Sequence, residues 1–158
     1  RSQEFGDWNS RTATIQAADK AQQIREQCLR DKVSMACETV FSTSEKIDFV
    51  QRAITAGFFV RIFFICTNDP TINARRVALR VMEGGHDVPI SKIISRYYKS
   101  IENCTKIISQ VERTYIYDNS TTDSDPSLRF RASHGVITKT YGELLPWMQS
   151  IYAALKHN

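Results

Sequence analysis

The chain has 158 residues, 42% of them hydrophobic and 24% charged, with a formal net charge of +4. That length supports one domain with a core of its own, and the composition is ordinary for a soluble globular protein. A mildly basic balance favours a polyanionic ligand, but no Lys/Arg-rich block with interleaved aromatics points to nucleic acid. The longest apolar run, Phe58 to Cys66, is interrupted by Arg61, too short to span a membrane.

In chain order, residues 1–11 read as a polar lead-in or tag remnant, and residues 12–158 as a single α/β domain. From Thr12 to Lys32, Ile15, Ala18, Ala21, Ile24, Cys28 and Leu29 recur at threes and fours, which predicts an amphipathic helix. Val33 to Val40 is short, β-prone and mostly uncharged, as expected of a strand buried on both faces. Ser42-Thr43-Ser44-Glu45 reads as a capping box, opening a helix that stops at Gly57. Phe58 to Cys66 is the strongest strand, and Asp69-Pro70 supplies an N-cap and a first helical residue.

Alternating strand and helix predicts a mostly parallel sheet flanked by helices. After Gly84-Gly85, Pro89 opens a second helix reaching to about Glu112. Thr114 to Tyr117 is a strand, and Leu128 to Thr138 alternates as a hairpin turning at His134-Gly135 with one wet face. Leu144 to Leu155 closes the chain as a helix. Four cysteines at 28, 37, 66 and 104 lack metal-ligand spacing and read as free thiols, with Cys37 and Cys66 buried in strands.

The chemistry-bearing stretch is the helical hairpin around the double glycine, a helical lid over about residues 70–112. Arg76 and Arg80, spaced i, i+4, share a helix face, with His86 at the turn and Arg96 two turns beyond. Guanidiniums in fork geometry suit polyphosphate oxygens, which makes the hairpin a candidate phosphate clamp. Glu38, inside an apolar strand near its carboxyl end, needs a partner or a cleft.

The run Arg76-x-x-x-Arg80-x-x-x-Gly84-Gly85-His86-Asp87-Val88-Pro89, continuing through Arg96-Tyr97, Ser100 and Asn103, resembles the lid of the zeta toxin family of P-loop kinases. Cys37-Glu38-Thr39-Val40-Phe41-Ser42 is similar to that family's E-T-x-x-S strand end, and Tyr117-Asp118-Asn119-Ser120 to its D-N-S strand end. The resemblance spans roughly residues 10 to 150 and implies a P-loop-kinase-like fold with a C-terminal β-hairpin and helix. It implies a cytoplasmic bacterial enzyme that phosphorylates a UDP-N-acetyl amino sugar with ATP and Mg²⁺, and a protein antitoxin as partner. Arg76 and Arg80 would take the catalytic role, His86 and Arg96 the ATP phosphates, and Glu38 with Thr39 the acceptor sugar; no metal ligand is assigned. The family's Gly-x-x-x-x-Gly-Lys-Ser/Thr loop does not occur in the chain. The expectation is therefore a fragment with its first βα unit missing, inactive by itself, whose sheet needs a partner or a rearrangement to fill its middle.

Overall fold

A computed structural model describes residues 11–85 and 87–156, so the N-terminal lead-in up to residue 10 and His86 lie outside the described residues. Helix α1 (Arg11–Asp31) is as expected in extent. It ends where Lys32 adopts φ 54° and the Val33 N–H donates to the Cys28 carbonyl at 2.9 Å. Leu29 is buried, but Ile15 and Ile24 remain more than half exposed, so most of the apolar stripe meets no described element. Arg52 of helix α2 (Ser44–Thr55) reaches α1 through two bonds to the Glu26 carboxylate, at 2.7 and 2.8 Å.

Two expectations fail between these helices. Val33 to Val40 is not a strand: it is an irregular segment, with Val33 and Val40 both more than half exposed. Its apolar sequence has no neighbouring strand to pair with among the described residues, and β structure exists only as a pairing. The Ser42 capping box does not form either. Phe41 takes φ 59°, which moves the helix start so that Thr43 is the N-cap, with no side-chain cap bond.

The middle of the chain follows its sequence closely. Gly57, at φ 85°, terminates α2. Strand β1 (Arg61–Cys66) leads to helix α3 (Pro70–Met82), whose Asp69 N-cap accepts from the Thr71 N–H at 2.7 Å. The Thr71 hydroxyl and its N–H together hold the Asp69 carboxyl below its usual range. Helix α4 (Ile90–Ile107) takes Pro89 as its N-cap rather than its first residue, and gives way to a 3-10 turn (Ile108–Gln110) short of Glu112. Strands β2 (Arg113–Asp118), β3 (Ser127–Ser133) and β4 (Val136–Thr140) follow. His134 and Gly135, both at positive φ, make the hairpin turn. The closing helix is shorter than expected: a 3-10 turn (Pro146–Met148) and helix α5 (Gln149–Ala153).

The four strands form one mixed sheet in the order β1-β2-β3-β4. Only β1 and β2 are parallel; β2–β3 and β3–β4 are antiparallel, so the mostly parallel expectation is corrected to a single parallel pair. The chain is thus α/β, and its described strands are bonded neighbour to neighbour with no gap. Phe64, Ile116 and Phe130 bury one sheet face against Tyr97 and Cys104 of α4 and against Met148 and Ile151. The opposite face carries Phe63 and Ile65, 58% and 53% exposed, and no described element covers it. No helix among the described residues is long and apolar enough to cross a membrane.

Cys66 and Cys104 are buried free thiols, whereas Cys37 is exposed, against expectation, because its segment is not a strand. Burial pushes the Cys66 thiol up to about 12 and also raises Cys104. A thiol whose folded pKa lies above its ordinary value of roughly 8.5 stabilises the fold below that pH and loses the contribution as pH rises. Stability should therefore decline between about pH 8.5 and pH 12. Thiol labelling at neutral pH should modify Cys37 rapidly and spare Cys66 and Cys104 until the chain unfolds. Equal labelling rates at all three would contradict this packing.

Candidate functional site

The carboxyl ends of β1 and β2 lie side by side, with Cys66 in register with Asp118. This is where ligands gather in open α/β sheets, and here the turns after both strands are tied together. The Asn119 N–H donates to the Cys66 carbonyl at 2.8 Å, and the Asn68 N–H donates to the Ser120 hydroxyl at 2.7 Å. The Ser120 hydroxyl in turn donates to Asp118 Oδ1 at 2.6 Å. Tyr97 of α4 donates to the Thr67 carbonyl at 2.9 Å and so fixes α4 to the end of β1. Burial pushes the Tyr97 phenol up, which keeps it a donor.

Asp118 is the hub. Only 5% exposed, it also accepts from Trp147 Nε1 at 3.2 Å and stands 3.6 Å from Arg129 Nη2. The Asp118-Asn119-Ser120 stretch is the end of β2 and the start of the loop after it, as its likeness to a strand end suggests, and Asp118 also seats the C-terminal segment. The signal for that was thin: a Trp in a closing helix, far along the chain.

Helix α3 starts at this junction and carries two of the predicted arginines. Arg76 is half-buried, and its guanidinium donates to the carbonyls of Asn119 at 2.8 Å and Thr121 at 3.2 Å. Its hydrogen bonds hold the post-β2 loop, so its first role is to position that loop. Arg80 is exposed, one turn on, and its Nε donates to the Arg76 carbonyl at 3.3 Å. Arg96 is half-buried on α4, which packs against α3, and it has no hydrogen-bond or ion-pair partner among the described residues. None of the three arginines pairs with a carboxylate among the described residues, though Glu83 and Asp87 are close in sequence. Predicted His86 lies outside the described residues.

The turn between these helices is tightly specified. The Gly84 N–H donates to the Val81 carbonyl at 3.0 Å and the Gly85 N–H to the Arg80 carbonyl at 2.8 Å, the paired bonds of a Schellman cap. Gly84 stands at φ 86°, which an L side chain adopts only at a cost.

Glu38 and Thr39 are the least settled part of the expected site. Both are exposed in the irregular segment, so the argument from a carboxylate desolvated in a strand does not apply to Glu38. Thr39 Oγ1 accepts from the Phe41 N–H at 3.4 Å, a local turn bond. The far end of the segment is anchored where buried Asn103 of α4 donates to the carbonyls of Phe41 at 3.0 Å and Thr43 at 3.3 Å. No hydrogen bond or ion pair joins Glu38 to the lid arginines among the described residues. Another open depression lies along Asp19, Gln22, Glu26 and Arg30 of α1 and includes none of the predicted residues.

The described residues thus define a mixed α/β domain with a cationic two-helix hairpin rising from the carboxyl ends of its parallel strands. Comparison with protein-family models, with curated proteins and with solved structures finds no match to the chain.

Proposed function

We propose that the chain is the lid-and-acceptor part of a zeta-toxin-like phosphotransferase of the bacterial cytoplasm, acting on a hydroxyl of a UDP-N-acetyl amino sugar. A protein antitoxin is the partner this reading entails. The observation that carries it is the set of guanidiniums on α3 and α4, free of carboxylates, beside the ends of a parallel strand pair. ATP, when bound, supplies the phosphoryl group; the arginines orient it and offset its charge. Arg80 and Arg96 are the residues with guanidinium hydrogen-bonding capacity to spare, while Arg76 sets the loop beneath them.

In this reading Mg²⁺ is seated chiefly by a phosphate loop that the chain lacks. No group of three potential ligands is assembled among the described residues, and both acids at the strand ends are committed, Asp69 to Thr71 and Asp118 to Ser120, Trp147 and Arg129.

ATP turnover by the intact gene product tests the reading. Arg80→Ala is expected to lower kcat/KM by about 100-fold or more with an unchanged melting temperature. Glu38→Gln is expected to raise KM for the sugar nucleotide while leaving that for ATP alone. An intact product that does not turn over ATP, or an Arg80→Ala variant at full rate, would refute the kinase reading. A second reading, a non-catalytic nucleotide- or protein-binding module, is favoured by the commitment of both strand-end acids to structure. Nucleotide binding without turnover would establish it.

A further inference from the structure

The uncovered face of the sheet has a composition that the lid chemistry does not use. Along β1, Phe64 and Cys66 point into the core, so Arg61, Phe63 and Ile65 point outward. The register places Arg113 beside Arg61 and Tyr115 beside Phe63, and then Arg131 and Lys139 continue the row from Tyr115 across β3 and β4. Four cations therefore stand at outward register positions, and no carboxylate occupies one. Glu112, next to Arg113 in sequence, has its Oε2 occupied by the Val60 N–H at 2.7 Å.

Aromatic rings interleave with these charges. Phe63 stacks on Tyr115 with centroids 4.9 Å apart and planes 8° off parallel. Arg61 lies over the Phe59 ring at 5.3 Å, and Arg131 and Lys139 lie over Tyr141 at 6.0 and 5.0 Å. Phe59 is 56% and Tyr141 42% exposed, so both residues remain accessible at the surface beside these cations. Arg61 and Arg113 form a like-charge neighbour pair, unfavourable unless an anion lies between them.

We propose that this face binds single-stranded nucleic acid, with bases stacking on Phe59, Phe63 and Tyr141 and phosphates meeting Arg61, Arg113, Arg131 and Lys139. A four-stranded sheet with one face bare, aromatic and basic is a sequence-tolerant stacking platform. Charge complementarity decides the occupant. A purely apolar helix laid here would bury four cations without partners, whereas a single strand brings one phosphate for every base. The surface is separate from Arg80 and Arg96, and the inference does not rest on the phosphotransferase reading.

Fluorescence anisotropy of a labelled twelve-residue oligothymidylate with the full chain tests it. Binding is expected with a dissociation constant on the order of 10 µM at low salt, and a slope of log K against log salt near −3 for four phosphate contacts. Phe63→Ala and Tyr141→Ala should each weaken it about tenfold. Arg131→Ala should make the slope shallower by about 0.7. Arg80→Ala should leave it unchanged. Circular dichroism confirms that each variant folds. Absence of binding, equal affinity for the corresponding duplex, or indifference to both ring deletions would overturn the proposal. Equal displacement by polyglutamate would overturn it in favour of an acidic polypeptide partner.

Discussion

Replacing Asp118 with alanine is expected to destabilise the chain by about 3 kcal/mol and to loosen the C-terminal segment from the sheet. The carboxylate joins three parts that lie far apart in sequence: the turn at Ser120, strand β3 through Arg129, and the Trp147 indole. Its removal strands two donors in a place that water barely reaches. Trp147 is 7% exposed, and Arg129 Nε already lacks a partner despite being buried. Deleting one member of such a group costs more than the bonds themselves, because the remaining donors keep their desolvation cost. Asp118→Asn keeps an acceptor for Trp147 but gives up the charge facing Arg129, and should cost roughly half as much. Urea unfolding gives the stability loss. Indole emission in a Trp8→Phe background, which leaves Trp147 as the only tryptophan, should shift to the red in Asp118→Ala under native conditions. A variant with unchanged stability and unchanged emission would show that the cluster is dispensable. A nucleotide contact at Asp118 would instead lower ligand affinity while sparing the fold.

The contrast between Asp118 and Val33 to Val40 shows what the sequence makes legible. Elements whose determinants are local were readable: Gly57 and Gly84 end helices because they alone take positive φ cheaply, and Asp69 caps α3 through its own Thr71. The His134-Gly135 hairpin was readable for the same reason. Val33 to Val40 has the composition of a strand, but a strand is made by its neighbour, and no property of eight residues reveals whether that neighbour is there. Orientation in the sheet is likewise non-local, which is why one parallel pair supported an expectation of a mostly parallel sheet.

The candidate site divides along the same line. Arg76 and Arg80 were found by their i, i+4 spacing, but not the fact that Arg76 is bound to the carbonyls of Asn119 and Thr121, more than 40 residues away. The basic aromatic face was invisible because each of the four strands contributes only one outward cation. In sequence they are isolated; across the sheet Arg131 stands beside Tyr115 and Lys139 beside Arg131.

The lid turn gives a sharper comparison, between two adjacent glycines. A Cβ built at Gly85 would fall 2.7 Å from the Arg80 carbonyl oxygen and 3.2 Å from its carbon, both backbone atoms at the end of α3. Backbone has no rotamer with which to move aside, so Gly85→Ala must break the 2.8 Å bond from the Gly85 N–H and open the last helical turn. The expected cost is about 2 kcal/mol from overpacking and the lost bond together. At Gly84 a Cβ would meet nothing within 4 Å, and the penalty is only that of φ 86° in a residue with a side chain, about 1 kcal/mol. Gly85→Ala should therefore be the more damaging change, although Gly84 has the unusual backbone angle. Amide exchange at Glu83, Gly84 and Gly85 should accelerate strongly in Gly85→Ala and mildly in Gly84→Ala. Arg80 stands in the turn that opens, so under the proposed phosphotransferase reading nucleotide affinity should fall in Gly85→Ala while the melting of the sheet core changes little. The reverse order of damage would mean that the Schellman bonds do not hold the hairpin, and that the lid arginines are placed by something other than this turn.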